Sequence, residues 1–248
     1  MRTLAWFVSL VAAFIFADSV EAKPSEDFLS PKSCSECHQS IYEDYLQTSH
    51  AQAMRLVEPG MLDDQFAAEH EYFYVKADTA HSAFFRLTAT ATNSGYEQRI
   101  YLPQENGGEV EVTRLPLHIE LGSGKFAKAY LRWDEDRLFL NPLSFYSGPQ
   151  EWAFGPGIFG HLTTMQGGRP VTAACLDCHS GHFDVRDQSQ YDGLKGPLDE
   201  YLHPGDTFVI DQDNLVLPIS CVKCHGNADR HVTYHRQHPY VALARHIT

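Results

Sequence analysis

Apolar positions change their spacing along this chain, and the change divides it. Between Ser33 and Val57 the residues Ile41, Tyr42, Tyr45 and Leu46, then Ala51, Met54 and Leu56, recur at three- and four-residue intervals. That period predicts two helices broken near Thr48 and Ser49. From His70 to Tyr146 the pattern shortens. Glu71–Lys76, Ser82–Ala91, Tyr96–Leu102, Glu109–Leu121, Phe126–Trp133 and Arg137–Leu140 are rich in β-branched and aromatic residues and read as strands. Asn93-Ser94-Gly95 and Asn106-Gly107-Gly108 mark tight turns, and Asp134-Glu135-Asp136 joins two strands as a hairpin. Residues 147–170, with several Gly and Pro, read as an ordered loop. From Val171 onward short helices and loops alternate, with one hairpin expected around Thr207–Leu217. The expected class is α+β, a β-rich insert between two segments of short helices and loops.

The first residues follow a different logic. Arg2, an apolar run from Leu4 to Phe16 and the small residues Val20 and Ala22 make a secretory signal peptide, with cleavage expected after Ala22. The run is too short for the roughly 20 residues of a spanning helix. The chain therefore divides into a signal peptide (1–22), an N-terminal segment (23–69), the β-rich insert (70–146) and a C-terminal segment (147–248). The expected location is the periplasm or another exported compartment, with no transmembrane segment after cleavage.

Charge narrows the partners. With 19 basic and 32 acidic side chains the formal charge is −13, which argues against nucleic acid and against docking on an anionic membrane. Export also sharpens the meaning of the cysteines, because thiols in an oxidising compartment pair, bind metal or are capped.

The six cysteines form three pairs of one spacing, each followed at once by histidine: Cys34-Ser35-Glu36-Cys37-His38, Cys175-Leu176-Asp177-Cys178-His179 and Cys221-Val222-Lys223-Cys224-His225. C-x-x-C-H is the attachment signature of c-type haem. Two thiols one helical turn apart can form thioethers with the vinyl groups of neighbouring pyrroles, and the next imidazole then reaches the iron as proximal ligand. Zinc sites fit poorly, since two pairs must combine for four ligands and three pairs leave one over. A thioredoxin-like redox pair has no need of the repeated histidine. Cys34, Cys37, Cys175, Cys178, Cys221 and Cys224 are thus expected to hold three covalent haems c, with His38, His179 and His225 as proximal ligands.

Eleven further histidines compete for the other face of three irons, against only Met54, Met61 and Met165 beyond the signal segment. That surplus favours bis-histidine coordination and low reduction potentials. For one iron, His161, His118 and His182 compete on position alone. His182, three residues after His179, is better placed to hydrogen-bond a propionate.

The segment Cys34–Met54, with its Thr48-Ser49-His50-Ala51 element, resembles the multihaem cytochromes related to the tetrahaem cytochrome of bacterial ammonia oxidation. In that family a histidine twelve residues beyond the first proximal one crosses to a different haem, and His50 stands twelve beyond His38. Cys221–His231 resembles the family's C-x-x-C-H-G element followed by a nearby histidine. The resemblance thus implies His50 and His231 as distal ligands. Six residues is an awkward length for closing over the same ring, so His231 is expected to reach a neighbouring haem. Gly122-Ser123-Gly124, Ala129-Tyr130-Leu131, Arg137–Ser144, Trp152 and Pro156-Gly157 resemble further relatives. The ammonia-oxidation protein has four haems where this chain has three motifs.

The function expected is electron transfer, with redox protein partners that carry a basic docking face complementary to the acidic chain. The alternatives are a multihaem oxidoreductase or a gas-binding haem protein, acting on a small nitrogen or oxygen species at a five-coordinate iron. The lysine-ligated C-x-x-C-K haem of catalytic multihaem nitrite reductases has no counterpart here.

Overall fold

The computed structural model describes residues 30–66, 70–77, 82–156, 168–184, 209–226 and 228–239. The signal segment and His161 lie outside them. The elements in chain order are α1 (Gln39–Leu46), β1 (Met54–Leu56), β2 (His70–Ala77), β3 (Ser82–Thr92), β4 (Gly95–Pro103), β5 (Glu109–Pro116), β6 (Ile119–Leu121), β7 (Ala127–Asp134), β8 (Arg137–Leu140), β9 (Leu143–Tyr146), β10 (Glu151–Phe154), β11 (Arg169–Pro170), α2 (Ala173–His179), α3 (Val222–His225) and α4 (Asp229–Gln237). Short 3-10 turns occupy Pro31–Glu36, Asp63–Phe66 and Gln212–Asn214.

Two antiparallel sheets form. One is the meander β2-β3-β4-β5. In the other, β7 pairs with β6 along one edge and with β8 and β9 in succession along the opposite edge, and β1, β10 and β11 complete seven strands. Alternation explains the register: on β4, Tyr96, Gln98 and Ile100 point inward and their neighbours outward. The β3–β4 and β7–β8 turns close over Asn93-Ser94 and Glu135-Asp136, as the turn residues predict.

Four sequence expectations are corrected. Ala51, Met54 and Leu56 do not continue as a helix, because Met54–Leu56 pairs with Leu121–Ile119 as an edge strand. Glu109–Leu121 is two strands in two sheets, since the chain crosses between them at Leu117 and His118. The loop expected from 147 contains β10, paired with β9. The expected Thr207–Leu217 hairpin is absent over its described part. There Asp211 caps the 3-10 turn, Ile210 N–H bonds Asp136 O at 2.9 Å, and Val216 bridges to His182. β-structure consequently extends beyond 70–146 on both sides.

The sheets share a core of Leu62, Leu87, Tyr96, Leu115, Tyr130 and Trp152 among others. Buried Gln98 joins them: its amide donates to Leu143 O at 2.8 Å and accepts from Leu143 N–H at 2.9 Å. The opposite face of β7 presents Leu131 to a second core with Met54, Ile119, Leu138, Val171, Ile210 and Leu176. Leu176 lies inside the second C-x-x-C-H motif, so that motif is bolted onto the sheet by its own middle residue.

Candidate haem-attachment cluster

Each motif forms one helical turn. In the first, His38 N–H bonds Cys34 O at 2.9 Å, and in the third His225 N–H bonds Cys221 O at 3.0 Å. The second lies within α2, which runs from Ala173 to His179. Thiols at i and i+3 and an imidazole at i+4 share one side of such a turn. Exposure repeats as well: Cys34, Cys175 and Cys221 are half-buried, while Cys37, Cys178 and Cys224 are exposed. None of the six is in a disulfide.

The fold gathers the motifs. Cys34 and Cys221 meet side chain to side chain, and burial together with this contact pushes the Cys34 thiol up to about 11. Tyr45 of α1 donates its hydroxyl to Ile219 O at 2.9 Å beside the same pair. Burial, then Cys221, Tyr42 and Cys34, push the Tyr45 phenol up to about 12, so it stays a donor. Lys223 of the third motif faces Asp177 of the second at 3.7 Å. Behind that pair the backbone is in close contact, since a Cβ on Gly181 would lie 2.7 Å from Pro218 O and 2.7 Å from Ser220 Oγ. A glycine is required there by space alone.

α4 lies against the first motif. Arg236 bonds Glu36 at 2.7 Å, and the His231 ring faces His38 with centroids 6.2 Å apart and planes 16° from parallel. His50 is exposed at the turn before β1. Next to it a groove of about 790 Å³ opens between Ala51, Met54, Trp133, Leu215, Leu217 and Pro218, within the size range of cofactor sites.

Two of the competing histidines are engaged otherwise. Trp133 N–H donates to His118 Nδ1 at 2.9 Å. Burial and then Arg132 lower the His118 pKa, so the neutral ring carries its proton on Nε2, where a metal would bind. His182 Nε2 sits 3.0 Å from Asp184 Oδ1 and donates to that carboxylate. Neither offers a free Nε2. Sequence reasoning passed over two others on and beside α4. His238 donates from Nδ1 to Tyr234 O at 2.9 Å, the arrangement that leaves Nε2 open on a metal ligand. His235 Nε2 is buried without a hydrogen-bond partner among the described residues. The available signal was helical spacing, since His231 and His235 stand four apart.

These features fit an attached macrocycle. Three turns present paired thiols, one buried ring nitrogen lacks a hydrogen-bond partner among the described residues, and α1 leaves Ile41 64% and Leu46 43% exposed beside the first motif. In the described residues no three His, Cys, Asp or Glu converge as a metal-ion cluster; a haem iron asks for only one protein donor on each face.

The class these turns define is the haem-attaching one, and comparison agrees. Residues 33–93 match the family model described as cytochrome c554 and c-prime, so this stretch is similar to c-type cytochromes of that family. The match covers the first motif, α1 and the strands through β3, and it supports covalently bound haem c, redox partners and a role in electron transfer. No curated protein and no solved structure matches the chain. Among the described residues no helix is long and apolar enough to cross a membrane.

Proposed function

We propose that this chain is an exported trihaem c-type cytochrome that carries electrons between redox partners through mainly bis-histidine haems. The observation that carries the reading is the gathering of three C-x-x-C-H turns into one cluster, tied by the Cys34–Cys221 and Lys223–Asp177 contacts. Haem supplies one-electron redox chemistry when bound, and the protein sets spacing, axial ligation and exposure. His38 and His231 support bis-histidine ligation. Their rings would hold one iron between them if each turned a nitrogen toward it. The observed separation is 6.2 Å. The pairing also agrees with His231 serving a haem other than that of its own motif. His50 is proposed as a second distal ligand, at the head of the groove beside β1. The β-rich region supports the cluster: through Leu176 it fixes the second motif, and through β1 it fixes the chain leading from the first. Partners are proposed to present a basic face to this acidic protein.

Electron paramagnetic resonance of the oxidised holoprotein tests the reading. Low-spin signals from all three haems are expected. A high-spin signal displaced by cyanide or nitric oxide in the unaltered protein would move the function to ligand binding or catalysis.

A further inference from the structure

α4 follows the third motif closely and lies along the first. His231, in its first half, faces His38. One turn on, His235 projects beside it, with ring centroids 4.6 Å apart and planes tilted by 55°. Tyr234 holds the His235 ring edge-on at 5.3 Å. The ring is thus fixed in place, yet its Nε2 is sealed from water and has no hydrogen-bond partner among the described residues. Burying a ring nitrogen without a partner is unfavourable, and such groups in folded proteins call for a ligand or a function. A ring nitrogen held rigidly beside His231, on the helix that lies along the first motif, is suited to a metal.

It cannot share His231's position. One iron accepts one imidazole on each face, and His38 and His231 are already proposed above to hold one iron between them. A second site adjoins the first, because Cys221 touches Cys34. We infer that His235 is the axial ligand of a second iron, so that the single helix α4 closes two haem sites with histidines four residues apart. The inference rests on the haem reading proposed above.

The test uses holoprotein variants His231→Ala and His235→Ala, each first shown by intact mass to carry the covalent haem load of the parent. In His235→Ala one low-spin signal should be lost and one high-spin signal gained, and added imidazole should restore the parent spectrum. His231→Ala should remove a different low-spin signal. An unchanged spectrum for His235→Ala, or loss of the same signal in both variants, overturns the inference while leaving the haem reading standing. A parent protein without covalent haem would overturn both.

Discussion

Gly181 is the position where the second and third motifs are held to one distance, and filling it should be costly. It follows α2, and its N–H bonds Val216 O at 2.9 Å. A Cβ there would meet Pro218 O at 2.7 Å, Ser220 Oγ at 2.7 Å and Ser220 Cβ at 2.9 Å. One of these is a backbone carbonyl, so a rotamer change cannot relieve the crowding and the 216–220 segment must move. Overpacking of this kind costs about 1–3 kcal/mol. At about 2–4 °C per kcal/mol for a chain of this size, Gly181→Ala should lower the melting temperature by roughly 2–12 °C. Gly148→Ala is the control, because a Cβ there meets nothing within 4 Å; its effect should stay within about 0.5 kcal/mol. Ser220→Gly removes two of the three contacts, so a double-mutant cycle on urea unfolding, followed by far-ultraviolet circular dichroism, should give a coupling of at least about 0.5 kcal/mol. If Gly181→Ala unfolds at the same urea concentration as Gly148→Ala, this contact does not set the distance between the motifs.

Leu176→Ala should destabilise the holoprotein by about 2–5 kcal/mol, since a 1%-exposed side chain anchors α2 to the sheet; a midpoint equal to the parent's would detach the motif from that core. Arg236→Ala should change stability by less than about 1 kcal/mol, because the Arg236–Glu36 side chains are 52% and 61% exposed and screened by solvent. A larger loss by the same urea assay would mean that this pair, not the histidines, docks α4. Association with a redox partner should slow as ionic strength rises, given the charge of −13; stopped-flow rates independent of salt would remove the proposed basic docking face.

The parts of this fold written locally were legible in the sequence. The motifs declare themselves by spacing, β4 by strict alternation, and the β7–β8 turn by its polar residues. What the sequence concealed depends on partners distant along the chain. Ala51, Met54 and Leu56 satisfy a helical period, but pairing with β6 and burial of Met54 against Ile119 outweigh that local preference. Gln98 has the composition of a surface residue and instead satisfies both backbone groups of Leu143 in the core. At the site, position along the chain put His118 and His182 forward and passed over His235. Only the hydrogen bonds to Trp133 and Asp184 separate the first two from a ring whose buried nitrogen has no hydrogen-bond partner among the described residues.

The central claim is that all three C-x-x-C-H turns carry haem, and intact mass of the denatured, purified protein tests it most directly. The account predicts the polypeptide plus three haems, falling to two when both cysteines of any one motif are changed to serine. A mature protein carrying fewer than three, or a motif whose removal leaves the haem mass unchanged, would contradict it.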